Sequence, residues 1–136
     1  MAGTEPDWKE LARTLYERRS QAVDVPFVEK EVDGWKPRAT ECHRNADLYS
    51  LAIGGCRSVR GWMVFDYNTA SRGLAPIVKF VAHSVLEFED GTLIDITPSA
   101  ASQRYPFLRH HGSDEEFEDW VRTWNMVHVQ HSIAPA

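Results

Sequence analysis

Apolar residues recur at helical spacing near both ends of the chain. In residues 7–20 they form one stripe, and Asp7 stands where it can cap the start of a helix. In "SDEEFEDWVRTW" a stripe follows Ser113 and Glu116, whose spacing is that of a capping box. The pattern predicts a helix at each place. The two stripes are Trp8, Leu11, Ala12 and Leu15, and Phe117, Trp120, Val121 and Trp124.

A third helical stripe begins immediately at a cysteine. Thr40 can serve as the N-cap, and we expect the helix to run from Glu41 to about Ile53. Gly54 and Gly55 can then end it, as glycine commonly does in the left-handed conformation. Cys42 is therefore predicted in the first turn of this helix. The stripe consists of Cys42, Asn45, Ala46 and Tyr49.

Elsewhere the apolar positions follow the pattern of β-strands. A short strand is expected at residues 27–32, and a longer one at residues 57–67. Residues 77–97 contain two β-rich runs that flank "EDG", which is a hairpin signal. The tail, residues 125–131, alternates weakly and indicates a last strand. This order predicts a single α+β domain, residues 1–136, with a small antiparallel sheet packed against the Cys42 helix.

The hairpin has two alternative registers. A two-residue turn, Asp90-Gly91, would place Asp95 on the apolar face of the hairpin. A three-residue loop, Glu89-Asp90-Gly91, with Gly91 at positive φ, separates polar from apolar side chains much better. Because register follows the apolar pattern, the sequence predicts the three-residue loop.

This register brings two residues of chemical interest together. His83 lies opposite Thr97, and Asp95 is its diagonal neighbour on the same face. A carboxylate at that distance can hold an imidazole in one tautomer and stabilise its charged form. The hairpin therefore predicts a His83–Asp95 pair.

Composition and charge limit the function. The chain has 136 residues, of which 43% are hydrophobic and 26% charged, as in one globular domain. A net charge of −5 disfavours nucleic-acid binding. The stretch "MAGTEPDWKELAR" contains no apolar export segment, and no apolar run is long enough to cross a bilayer. We therefore expect a cytoplasmic protein without a membrane partner, in which Cys42 and Cys56 are not disulfide-bonded.

Cys42 has features of an activated nucleophile. The first turn of a helix presents unpaired N–H groups and partial positive charge, which lower the pKa of a thiol. A nearby His83 imidazolium would lower that pKa further, and Asp95 would stabilise the ion pair. The residues alone also allow Cys42 to be a small buried hydrophobe and His83 a packed core histidine.

The order of cysteine on a helix, then histidine and aspartate on consecutive strands, resembles the transglutaminase-like branch of the papain-like superfamily. The resemblance is carried by "CHRNA" from Cys42, "VRGW" from Val59, "AHSVLEF" around His83 and "IDITP" around Asp95. The chain is also similar to small uncharacterised bacterial proteins with a Cys-aromatic-x-Asn-Ala segment, a His-Ala-Trp strand and Asp-x-Thr. It departs from that pattern in two places: His43 replaces the aromatic residue, and Ser84-Val85 replaces Ala-Trp.

The resemblance implies a papain-like fold and a catalytic triad of Cys42, His83 and Asp95. The implied reaction is acyl transfer, or hydrolysis of an amide or thioester, through a covalent acyl-enzyme. The acyl substrate would be a small molecule, a peptide or a protein. We expect neither a cofactor nor a catalytic metal.

Substrate and oxyanion contacts are less defined. The backbone N–H of Cys42 is a natural oxyanion donor, and Trp35 or Arg38 would supply the second. Asn45 either lines the pocket or bonds a neighbouring backbone group. Trp62 either packs in the core or borders the pocket.

Two other functions stay open at this point. The first is a binding module of the same fold without turnover. The second is a metal-binding domain: zinc could use Cys42, His43 and His83, and His110-His111 are further candidate ligands, although no CxxC or HExxH spacing accompanies them. Specificity would come from the loops "DYNTASRGLAP" and "SASQRYPFLRHHG".

Overall fold

A long antiparallel pair of strands forms the centre of the fold. The computed structural model describes residues 8–66, 77–99, 105–123 and 128–132. Within them, β1 (Cys56–Asp66) pairs along its whole length with β2 (Ile77–Phe88), and Gly61 stands opposite His83. This pair confirms the longer strand and the first arm of the hairpin expected from the sequence.

Shorter strands flank the central pair on both sides. β3 (Leu93–Ile94) and β5 (His128–Ser132) pair with β2, and β4 (Phe107–Arg109) pairs with β1. Each pairing is antiparallel, which confirms the α+β class with an antiparallel sheet. β5 confirms the strand expected in the tail. β4 lies in a segment that the sequence predicts to be a loop. The strand is not visible in the sequence because three residues are too few to show alternation.

The first helix buries part of the stripe expected of it. α1 (Trp8–Glu17) places Ala12 and Leu15 in the core, with Leu11 packed against them, and a 3-10 turn (Arg19–Gln21) follows. The proposed cap at residue 7 lies outside the described residues.

The last described helix begins as the sequence predicts. α3 (Asp114–Glu118) has Ser113 as its N-cap, whose hydroxyl oxygen accepts the Glu116 N–H at 3.0 Å. The helix buries Phe117 and continues as a π-helical turn (Asp119–Thr123). The expected stripe residue 124 lies outside the described residues.

The Cys42 helix begins one residue later than predicted. In α2 (Cys42–Ile53) the first hydrogen bond runs from the Asn45 N–H to the Glu41 carbonyl, 2.8 Å, so Glu41 is the N-cap. Thr40 has a φ of +67°, a left-handed conformation that is costly for a β-branched residue. The prediction of Thr40 as N-cap is wrong, because the chain uses this residue to turn Arg38 back beside the helix.

Glycine ends α2, as predicted. Gly54 and Gly55 have φ values of +75° and +72°, which side chains with a Cβ rarely adopt. The ψ of Gly54 is 175°, so its backbone is extended rather than a left-handed helical cap. Its N–H donates to the Ser50 carbonyl at 3.1 Å.

The hairpin between β2 and β3 has the three-residue loop. Leu86 pairs with Ile94, and Gly91 has a φ of +88°. The Phe88 N–H donates to the Thr92 carbonyl at 2.9 Å, which closes the loop. The register chosen from the apolar pattern is therefore confirmed.

The second arm of the hairpin leaves β2 earlier than predicted. β3 is only two residues long, and Asp95 then exchanges backbone hydrogen bonds of 2.9 Å with Pro26 and Val28. The backbone pairing expected between His83 and Thr97 is replaced by this parallel bridge. The short strand predicted at residues 27–32 is likewise reduced to isolated bridges, of Phe27 with Asp95 and of Val32 with Trp35.

The two faces of the central strand pair are buried by different elements. One face packs against the helices, through Trp62 and Phe80 towards α1 and α3, and through Leu86 towards α2. The opposite face carries Val59, and Phe107 packs against it.

Gly61 allows the Phe107 ring to lie close to β1. A Cβ at residue 61 would stand 2.5 Å from the tip of that ring and in closer conflict with the Leu108 carbonyl oxygen. The same ring contacts His83 edge-on, with centroids 6.5 Å apart. Glycine at this position therefore supports the packing beneath His83.

We expect Gly61→Ala to destabilise the protein, because the methyl group overpacks this contact. The free energy of unfolding should fall by about 1–3 kcal/mol, measured by urea denaturation. Gly91→Asn is the matched control, since Gly91 has open space around it and asparagine tolerates positive φ. Equal stability losses in both variants would contradict the packing role of Gly61.

Candidate active site

Three separate elements position the proposed triad. Cys42 is the first residue of α2, His83 lies within β2, and Asp95 follows β3. The Nε2 atom of His83 and the Oδ2 atom of Asp95 are 2.8 Å apart. His83 is 6% exposed and Asp95 4%, so this hydrogen bond is shielded from water. The structure thus places the predicted pair in direct contact.

A gap in the strand pairing gives Asp95 access to His83. On the edge of β2 away from β1, β5 pairs with residues 77–81 and β3 with Leu86 and Glu87. His83 lies between these two pairings. The early departure of Asp95 from β3 therefore leaves its carboxyl group beside the imidazole.

The second carboxylate oxygen of Asp95, Oδ1, also accepts a hydrogen bond. The Thr97 N–H donates to Oδ1 at 3.0 Å, while Oδ2 faces His83. Because both oxygens have partners, the carboxylate cannot rotate freely. Its orientation relative to the imidazole is fixed by the local chain.

The Cys42 thiol is flanked by two imidazoles. Burial alone would raise its pKa, but hydrogen bonding to His43 and His83 and the positive charge of His83 outweigh burial and lower the pKa to about 6. The thiol is partly buried, and it stands at the uncapped end of a helix, since the Glu41 side chain makes no cap hydrogen bond. The geometry therefore favours a thiolate at neutral pH.

The His83 imidazole is correspondingly stabilised as a cation. Burial alone would lower its pKa, but the hydrogen bonds to Asp95 and Cys42 and their negative charge raise the pKa to about 9. Because Nε2 bonds Asp95, Nδ1 is the nitrogen that remains for the thiol. Between pH values of about 6 and 9, Cys42 and His83 form a thiolate–imidazolium pair.

Asn45 supports the site from inside the protein. Its Oδ1 accepts the Arg38 N–H at 3.0 Å, and its Nδ2 donates to the Arg38 carbonyl at 2.7 Å. Nδ2 also donates to the Thr97 hydroxyl at 3.0 Å. At 2% exposure Asn45 bonds a neighbouring backbone, one of the two roles left open by the sequence, and links the turn before Cys42 to the segment after Asp95.

Trp62 lies in the core, and the backbone N–H groups of Trp35 and Arg38 are already bonded. Trp62 is 0% exposed in the core and its Nε1–H donates to the His110 Nδ1 at 3.4 Å, so it does not border a pocket. The backbone N–H of Trp35 donates to the Val32 carbonyl at 2.8 Å. Neither Trp35 nor Arg38 has its backbone N–H pointing at an oxyanion, because both N–H groups already have acceptors.

The metal alternatives find no support in the described part of the chain. No group of three or more histidine, cysteine or acidic residues there is arranged to hold a metal ion. His110 bonds Glu116 through Nε2 at 3.0 Å, and burial lowers its pKa, while His111 is exposed. Cys42 and Cys56 are free thiols.

In the sequence, His43 stands out only as a departure from a pattern or as a candidate zinc ligand. The structure places His43 beside the Cys42 thiol, with its Nδ1 at 2.6 Å from the Ser84 hydroxyl. The two positions are 41 residues apart in the chain. The signal that could have identified them is that both depart from the resembled pattern.

An open groove of about 440 Å³ lies at the far end of α2. Gly55, Cys56, Arg57 and Phe88 are among the residues that line it. Cys42 is at the opposite end of this helix, about 18 Å away along its axis. The groove is therefore separate from the candidate site.

Comparisons with protein-family models, with curated proteins and with solved structures found no match for this chain. The resemblance to papain-like enzymes therefore rests on the residues of this chain alone. Among the helices of the described residues, none has the length and apolar character needed to cross a membrane.

We expect Cys42 to react with iodoacetamide at mildly acidic pH. Its alkylation rate should rise through an apparent pKa of about 6, because the thiolate is the nucleophile. Burial raises the pKa of Cys56, so that thiol should react only at alkaline pH. Peptide mass spectrometry of both cysteines across pH measures the two profiles in one sample. Matching profiles for Cys42 and Cys56 would contradict the site described here.

Proposed function

We propose that this chain is a cysteine-dependent acyltransferase or hydrolase with a papain-like, transglutaminase-like fold. The observation that supports the proposal most is the buried 2.8 Å hydrogen bond between His83 and Asp95 next to a thiol whose pKa is lowered to about 6. A nucleophile, a base and a group that orients the base are the parts that covalent acyl transfer requires.

In the first half of the reaction, the Cys42 thiolate attacks the carbonyl carbon of an amide, ester or thioester. A C–S bond forms, and the carbonyl electron pair moves to the oxygen. When the carbonyl re-forms, the bond to the leaving group breaks, and His83 gives that group its Nδ1 proton. The product is an acyl-enzyme and a neutral His83.

In the second half, His83 acts as a base. It removes a proton from water or an amine as that molecule attacks the acyl carbon. The C–S bond then breaks, and its electron pair returns to the Cys42 sulfur. Asp95 stabilises the imidazolium formed in this step, as it does in the resting state.

The start of α2 supplies donors for the oxyanion. The backbone N–H groups of Cys42 and His43 belong to the first helical turn, where no intrahelical acceptor exists. The helix dipole adds partial positive charge at the same point. The first turn therefore stabilises negative charge on a carbonyl oxygen held beside the sulfur.

We expect p-nitrophenyl acetate to acetylate Cys42 in a stoichiometric burst at pH 7. His83→Ala should slow acylation by about 10²–10⁴-fold, since it removes the general acid–base and the charge partner of the thiolate. Stopped-flow absorbance gives the burst, and intact-protein mass spectrometry gives the acyl-enzyme.

Two controls accompany this experiment. Cys56→Ala keeps the second thiol from contributing and should retain the burst. Cys42→Ala should abolish it. A non-catalytic binding module would instead acetylate slowly and equally in the wild-type and His83→Ala proteins, and that result would overturn the proposed function.

A further inference from the structure

The two positions at which the chain departs from the resembled pattern contact each other. His43 is the second residue of α2, and Ser84 lies on β2 next to His83. The His43 Nδ1 and Ser84 Oγ atoms are 2.6 Å apart. Alternate residues of a strand face opposite sides, so Ser84 points to the helix-covered face and His83 to the other. The Cys42 thiol interacts with one ring of each pair, His83 of the His83–Asp95 pair and His43 of the His43–Ser84 pair.

Arg60 donates a hydrogen bond to the Ser84 hydroxyl oxygen. Its NH1 group donates to the Ser84 hydroxyl oxygen at 2.9 Å and to the Ser58 hydroxyl at 2.9 Å. Arg60 is 7% exposed and is balanced by Asp47, 2.8 Å from NH2. A guanidinium has only donors, so the Ser84 oxygen accepts from it and keeps its own hydrogen for another partner.

This network suits one tautomer of His43. With its oxygen accepting from Arg60, the Ser84 hydroxyl has its hydrogen available for Nδ1 of His43. A neutral imidazole that accepts at Nδ1 carries its hydrogen on Nε2. The ring is also packed edge-on against Phe117, with centroids 5.6 Å apart, which limits its rotation.

We propose that His43 is a second functional imidazole, which donates its Nε2–H to the reacting sulfur of Cys42, and that Ser84 and Arg60 are positioning residues that hold it in this tautomer. The inference rests on the proposed function and divides the work between two histidines. His83 exchanges its proton with the leaving group and the acceptor. His43 takes no part in these proton transfers.

The His43 N–H donor has its largest effect in the second half of the reaction, when water or an amine takes the acyl group from Cys42. The C–S bond breaks in that step and the electron pair returns to sulfur, so a hydrogen bond to sulfur makes the thiolate a better leaving group. His83 is neutral after it has protonated the first leaving group and cannot supply positive charge at the start of this step. An N–H donor that takes no part in the proton transfers fills that role.

The test compares His43→Phe with His43→Gln. Phenylalanine keeps the packing on Phe117 but has no N–H, whereas the glutamine amide retains a donor at a similar distance from the backbone. We expect His43→Phe to raise the apparent pKa for iodoacetamide alkylation of Cys42 by about one unit, which makes the reaction about fivefold slower at pH 6. His43→Gln should restore most of the wild-type profile.

His111→Phe is the matched control, because it removes an exposed histidine of the same chain. Ser84→Ala provides a second route, since loss of its hydroxyl should shift the Cys42 profile in the same direction as His43→Phe. It also applies if His43→Phe does not fold, as judged by circular dichroism and thermal melting.

A wild-type alkylation profile in folded His43→Phe, or in Ser84→Ala where His43→Phe does not fold, would overturn this inference. His83→Ala, measured in the same series, distinguishes failure of the role of His43 from failure of the proposed function. If His83→Ala shifts the profile and His43→Phe does not, only the role of His43 fails. If neither variant shifts it, the proposed function fails as well.

Discussion

The buried hydrogen bond between His83 and Asp95 is the interaction on which the candidate site depends. Burial alone would keep the imidazole neutral, yet the pKa of His83 is raised to about 9 because the carboxylate lies 2.8 Å from Nε2. The charged imidazole in turn helps to keep Cys42 a thiolate. Without Asp95, the thiol would face a neutral ring in a partly buried position, where its pKa rises.

Several local features of the fold position Asp95 and His83 for this hydrogen bond. The early departure of the chain from β3 leaves the Asp95 carboxyl group beside His83, and backbone bonds to Pro26 and Val28 hold it there. Asn45 connects Thr97, next to this carboxylate, with the turn that precedes Cys42. These hydrogen bonds link α2 with the segment after the hairpin, so Cys42 and His83 are held by one hydrogen-bonded unit.

The apolar pattern of the sequence predicts much of this arrangement. It places Cys42 in the first turn of a helix, and it selects the three-residue loop that brings His83 and Asp95 to one face. These features are local, since they depend on the alternation of neighbouring side chains and on a glycine at positive φ. The α+β class follows from the order of the same elements.

Contacts between distant segments could not be predicted in this way. The bridge between Phe27 and Asp95 joins residues from separate parts of the chain. The alternation of polar and apolar residues in these two segments does not predict it. Trp62 is polar at one edge, which suits both a core and a pocket, and only the packing of α1 and α3 over it decides for the core. The contact of His43 with Ser84 is of the same kind, because neither residue alone indicates the other.

The central claim is that His83 is an imidazolium beside the Cys42 thiolate at neutral pH. The most direct measurement is a pH titration of the His83 ring nitrogens by nitrogen-15 NMR, assigned by its loss in His83→Gln. We predict that the His83 ring stays doubly protonated until the pH rises through about 9. In Cys42→Ala the pKa of His83 should fall, because the thiolate no longer stabilises the cation. A ring that is neutral at pH 7.5 in the wild-type protein would contradict the account.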